Sequence, residues 1–160
     1  MAASGHSVDG PGRARWTHLA LRVDDVERAI AWYERYTHLR VLHRSSDEFG
    51  RGAWLADPLD TATPFVLVIS EFHVGVDPFG GAPDAILGPF AHIGIELPTR
   101  EAVDEVAAMA ERDGVLALRP TQMPAPIGYI CFVEDPDGNT VEFSHDQGMY
   151  RTVRETWGSK

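Results

Sequence analysis

Three residues of types that hold a divalent cation each stand in a stretch that alternates like a β-strand. His18 lies in "WTHLALRV", His92 in "FAHIGIEL" and Glu142 in "TVEFSHD". Successive side chains of a strand point to opposite faces. Leu19 and Leu21 therefore share one face, and His18 with Ala20 the other. Ile93 and Ile95 oppose His92 and Gly94 in the same way, and Val141 and Phe143 oppose Glu142 and Ser144. Each time the aliphatic residues supply a face for a helix to cover, and the polar residue shares its face with a small neighbour, as cavity-lining residues do. Two neutral imidazoles and one carboxylate form a facial ligand set that leaves positions open for water or substrate. A lone histidine on a half-buried strand is commonly structural, and a lone strand glutamate is commonly solvated. Two histidines at equivalent places in repeated units, with a glutamate of matching parity, carry more weight than any one of them.

The repeat is the scaffold that must position them. After the first strand, "DDVERAIAWYERYTHL" switches to helical spacing, with Val26, Ile30, Tyr33 and Tyr36 on one face and Asp24 or Asp25 as N-cap. "RVLHRS", "GAWLAD" and "PFVLVIS" follow as short strands separated by turn-prone segments. The order then begins again. "FAHIGIEL" precedes a helix, "TREAVDEVAAMAERDG", with Thr99 as its cap and Gly114 at its end. "VLALRPT", "GYICFVED" and "TVEFSHD" are three further strands. The pattern reads β-α-β-β-β twice. The expected fold class is α+β, two tandem βαβββ modules forming a cupped mixed sheet with helices outside. Module one spans 15–70, a Gly/Pro-rich linking loop 71–89, and module two 90–146. Residues 1–14 read as a disordered arm. Residues 147–160 read as a helical tail, with Met149, Val153 and Trp157 at helical spacing, that packs on the sheet or on a second subunit.

Composition narrows the partners. A formal net charge of −10 argues against nucleic-acid backbones and anionic membrane surfaces. No stretch approaches the length of a membrane span, and no apolar run in the first residues suits a signal peptide. The single cysteine, Cys131, forms no intramolecular disulfide and suits a reducing compartment. The expected setting is cytoplasmic.

The two modules, the paired strands "THLAL" and "AHIGI", and the ending "FVEDPDGNTVEF" together resemble the vicinal oxygen chelate superfamily, over residues 15–146. That superfamily includes glyoxalase I, extradiol dioxygenases, methylmalonyl-CoA epimerase, and fosfomycin- and bleomycin-resistance proteins. The resemblance implies one divalent metal held in a cup, with His18, His92 and Glu142 at the ligand positions and Glu142 as catalytic carboxylate. It implies a small substrate that chelates the metal through two adjacent oxygens, and a homodimer. Some relatives build each metal site from modules of two chains. Fe2+ or Mn2+ is the favoured ion, with Zn2+ or Ni2+ as alternatives.

Departures from the family pattern bear on the reaction. Glyoxalase I has a further glutamate on the last strand of its first module, where this chain has Val68, or Val66 in a shifted register. Glu71 has the opposite parity. Extradiol enzymes use two His and one Glu, which matches the set here. Yet Phe132 stands where they place a tyrosine, and Pro64 stands near the place of their second histidine. Tyr129, His73 and His145 are weak substitutes, and Arg22 and Arg119 are the available cations for a phosphonate. The three-member ligand set leans the expectation towards extradiol-type cleavage. A glyoxalase I-like lyase or isomerase stands close behind, and a resistance-type binding protein is the rival class. Trp32, Tyr33 and Trp54 are expected to pack in the core or an interface, and the acids of "DPDGN" to form a turn.

Overall fold

The computed structural model describes residues 16–62, 64–80, 87 and 90–158, so the expected N-terminal arm lies outside the described residues. Module one contains β1 (His18–Arg22), α1 (Val26–Tyr36), β2 (Arg40–Ser46), β3 (Gly50–Ala56) and β4 (Val66–Phe72). Module two contains β5 (Ile93–Glu96), α2 (Arg100–Asp113), β6 (Leu116–Gln122), β7 (Tyr129–Glu134) and β8 (Thr140–His145), and α3 (Met149–Trp157) follows.

Helix α1 starts where the Asp25 side chain accepts from the amides of Glu27 and Arg28 at 2.9 and 3.1 Å. Removing a cap of this kind costs about 1 kcal/mol. Its apolar stripe, including Val26, Ala29, Ile30 and Tyr33, is buried in one cluster with Leu21, Leu55, Leu67 and Ile69 of sheet one. A second acid holds the same helix end. Glu71 at the end of β4 accepts from the Val26 amide at 2.9 Å and pairs with Arg51 at 2.6 Å. The Val26 N–H, followed by Arg51, holds the Glu71 carboxyl below its ordinary value. A carboxylate with a lowered folded pKa adds stability above its unfolded pKa and loses it as pH falls through the folded value. The stability gap between wild type and Glu71→Gln, read from urea midpoints, is therefore expected to be constant near neutrality. It should close below the ordinary carboxylate range, and a pH-independent gap would contradict this role.

Helix α2 is capped by Thr99, whose hydroxyl accepts from the Ala102 amide, and it ends at Gly114 with φ 75°. The left-handed conformation there suits glycine. Val103, Ala107 and Ala110 bury its stripe against module two, with Cys131, Val133, Val141 and Phe143. Cys131 is a free, buried thiol whose pKa burial pushes up to about 12.

The sheets repeat one topology. Sheet one has the order β1-β4-β3-β2 and sheet two the order β5-β8-β7-β6. In each, the first strand pairs in parallel with the last, and the remaining pairs are antiparallel. These are two four-stranded mixed sheets with helices outside, and β1 and β5 are outermost strands.

The modules are joined on their helical side. The Tyr33 hydroxyl donates to Asp135 Oδ2 at 2.8 Å, and the Asp24 amide donates to Asp137 Oδ1 at 2.8 Å. Asp113, at the end of α2, accepts from the Tyr36 hydroxyl at 2.5 Å and pairs with Arg35 at 2.8 Å. The acids of the β7–β8 turn therefore form the turn and also hold the helix of the other module. The tail forms α3, yet none of its residues is buried, and Met149, Val153 and Trp157 stay exposed.

Candidate metal centre

With α1 and α2 covering one face of each sheet, His18, Ala20 and Arg22 fall on the open face of sheet one. Gly94 and Glu142 fall on the open face of sheet two. Glu142 sits in the middle of β8, between Gly94 of β5 and Phe132 of β7. It is only 4% exposed. A Cβ built on Gly94 would meet nothing within 4 Å, so the space on its side of the strand is open.

His92 immediately precedes β5 and reaches towards this carboxylate. Its Nε2 lies 3.7 Å from Glu142 Oε2. Its Nδ1 lies 2.7 Å from the Phe90 carbonyl, an acceptor that makes Nδ1 the N–H donor, so that a neutral His92 presents its Nε2 lone pair towards Glu142. The Phe132 ring lies against the imidazole, with centroids 5.6 Å apart. Bonds from a divalent ion to imidazole nitrogen and carboxylate oxygen are about 2.1 Å each, so a pair 3.7 Å apart can grip one ion between them. The donor types, tautomer and spacing all fit a metal.

His18 begins β1, is exposed, and pairs with Val66 across the ladder. Its Nδ1 lies 2.9 Å from Thr17 Oγ1, which also leaves Nε2 available. It belongs to the other sheet, and among the described residues no three His, Cys, Asp or Glu side chains gather into a metal-holding group. One chain thus brings His92 and Glu142 together and keeps His18 apart from them.

The remaining sequence candidates fall elsewhere. The register pairs His18 with Val66 and Ala20 with Val68. Both valines share the open face with His18, at the places where glyoxalase I would carry its other glutamate. The Tyr129 hydroxyl donates to Asp104 at 2.6 Å, and the Arg100 guanidinium lies 3.7 Å above its ring. His145 Nδ1 contacts the Leu97 carbonyl at 3.1 Å, and His73 is exposed in the linking loop. Arg22 pairs with Asp77 at 2.5 Å over the Phe72 ring, and Arg119 pairs with Glu111. Sequence reasoning missed Gln147, whose Nε2 donates to Glu142 Oε1 at 2.8 Å. Strand parity does not reach it, because it lies beyond β8.

Comparison with known proteins agrees with this fold. The model of the Glyoxalase/Bleomycin resistance protein/Dioxygenase superfamily matches residues 15–143. An uncharacterised protein of Pseudomonas aeruginosa is 39% identical over 134 residues, 83% of this chain and 89% of that protein. A putative lactoylglutathione lyase of Brassica oleracea is 28% identical over 146 residues, and the chain, matched over 89% of its length, spans 49% of that protein. Among solved structures, a variant of the fosfomycin resistance protein FosX from Listeria monocytogenes, complexed with Mn(II) and a dihydroxypropylphosphonic acid, superposes with a TM-score of 0.63. It is 15% identical, and the match covers 87% of this chain and 99% of that one.

Proposed function

This chain belongs to the Glyoxalase/Bleomycin resistance protein/Dioxygenase superfamily, and we propose that it is a divalent-metal-dependent lyase or isomerase acting on a small substrate with two adjacent oxygens. The observation that carries the reading is the His92–Glu142 pair, 3.7 Å apart, with the imidazole tautomer set for a metal. His18, His92 and Glu142 would hold the ion, with His18 supplied by a second copy of the chain. A divalent ion bound there supplies Lewis-acid stabilisation of negative charge developing on the substrate oxygens.

The chain's own residues supply the rest. His92 is held by the Phe90 carbonyl and by contact with Phe132. Glu142, nearly excluded from water, is the carboxylate that takes a proton from the carbon beside the chelating oxygens and returns it to a neighbouring atom. Phe132 lies directly across the ladder from Glu142. It offers no hydroxyl where extradiol enzymes place one, so oxygen-dependent cleavage is the less favoured branch. Val66 and Val68 remove the second glutamate of glyoxalase I, which points to a reaction run by one carboxylate. The likeness to a putative lactoylglutathione lyase supports the same branch.

The test is solvent exchange. The Mn2+-loaded chain is incubated in D2O with a panel of α-hydroxyketones and hemithioacetals of α-ketoaldehydes, and deuterium entry is followed by NMR. Metal-dependent exchange is expected with at least one compound, falling ~100-fold in Glu142→Gln and to background in His92→Ala. No exchange above the His92→Ala background with any compound would overturn the reading. Oxygen uptake with catechols after Fe(II) loading would move the assignment to the oxygenase branch.

A further inference from the structure

We infer that Gln147 is a positioning residue that holds one oxygen of Glu142 so that the other faces the metal, an inference that rests on the metal reading above. A carboxylate has two equivalent oxygens and rotates about its last bond, so an unrestrained Glu142 would present either one, or both, to an ion. Here the two oxygens are distinguished. Oε1 accepts from the Gln147 side-chain amide at 2.8 Å, while Oε2 faces His92 Nε2. An N–H donor on the far oxygen fixes the plane of the carboxylate. Metal sites gain affinity from this kind of outer contact.

The chain places this donor through several independent contacts. Strand β8 ends at His145, and Asp146 then adopts φ 55°, in the left-handed region. The Gln147 amide is tied to Glu96 Oε1 at 3.1 Å, which anchors it to β5, the strand that His92 precedes. The next residue, Gly148, donates its amide to the Pro126 carbonyl at 2.9 Å. A Cβ at Gly148 would come within 3.2 Å of the Pro126 side chain, so the close approach of the two loops favours glycine there. Gln147 is therefore held between β5 and the β6–β7 loop, with its side-chain amide directed at Glu142.

The experiment titrates the full-length metal-free chain with Mn2+ and follows free Mn2+ by EPR, with thermal unfolding of each metal-free variant as the control. Gln147→Met keeps the length and removes the donor, and Gln147→Ala checks that the thioether itself does no harm. Both are expected to weaken Mn2+ binding by about 10-fold or more, with the metal-free Tm unchanged. In a Glu142→Gln background, Gln147→Met is expected to cause no further loss, because its effect passes through the carboxylate. Unchanged Mn2+ affinity in Gln147→Met would overturn this inference and leave the proposed function standing. An equal loss in both backgrounds, or a loss explained by a lower metal-free Tm in both Gln147 variants, would also overturn it. A wild type that binds no Mn2+, with no difference in Glu142→Gln, would remove the metal reading and this inference together.

Discussion

A mixture of His18→Ala and Glu142→Ala chains is expected to bind Mn2+ at about a quarter of the wild-type number of sites, although neither variant binds it appreciably alone. His18 begins the outermost strand of sheet one, while the His92–Glu142 pair belongs to sheet two, whose own outermost strand is β5. No group of three ligands forms within the chain among the described residues. If, as proposed, a second copy sets His18 of one chain beside the pair of the other, a two-fold axis makes two such sites. With random exchange, about half the dimers are mixed, and each mixed dimer has one site intact and one doubly damaged, which gives about one quarter. The exposed stripe of Met149, Val153 and Trp157 on α3 is the kind of apolar surface that a partner covers. The measurement is bound Mn2+ per chain after co-refolding of equal amounts of the two variants. Binding no greater than the mean of the separate variants would show that the chain does not share its site with a copy.

How much of this was legible in the sequence depends on the range of the interactions. The two modules were legible because strand parity and helix spacing are local, and the caps at Thr99 and Gly114 follow from residue type; the choice of Asp25 over Asp24 came only from its hydrogen bonds to the Glu27 and Arg28 amides. Parity placed Glu142 opposite Val141 and Phe143, and the structure has the two apolar residues in the core with Glu142 on the other face. His92 fell one residue before its strand, and a shift of that size leaves the imidazole near β8. The capping role of Glu71 was not legible, because its partner, the Val26 amide, lies 45 residues away. Gln147 was hidden for a related reason: it reaches Glu142 through a left-handed turn at Asp146, and aspartate does not announce that conformation. Of the two expected places for Trp54, core or interface, the core is excluded: it is 46% exposed on the open face of sheet one, edge-on to His43. The separation of His18 from His92 and Glu142 is tertiary, and no period in the sequence encodes it.

The largest loss of stability is expected from Asp135→Ala. Asp135 is 4% exposed and serves four donors. Its Oδ1 accepts from the amides of Asp137 and Asn139 at 2.9 and 2.8 Å. Its Oδ2 accepts from the Asn139 side chain and the Tyr33 hydroxyl, both at 2.8 Å. Burial, and then the neighbouring aspartates, push the Tyr33 phenol well above its ordinary pKa, so it stays a donor across the whole working range. Alanine would leave these donors without their acceptor, three of them in buried hydrogen bonds, at a cost of roughly 1–3 kcal/mol for each one left unsatisfied. Even partial relaxation leaves about 4 kcal/mol, a large share of the 5–15 kcal/mol that holds a typical domain together. For a chain of this size that corresponds to a Tm lower by about 8–16 °C. Tyr33→Phe removes only the Tyr33–Asp135 hydrogen bond between the modules and is expected to cost about 1.5–3 kcal/mol. The two changes also differ in what they do to the metal. The Asp135 turn leads directly into β8, so Asp135→Ala should weaken Mn2+ binding at Glu142 as well as lower the Tm. Tyr33→Phe should lower the Tm and leave Mn2+ affinity unchanged, because the turn keeps its three other contacts. Equal metal affinity in all three proteins would mean that β8 holds Glu142 in place without help from the turn that precedes it.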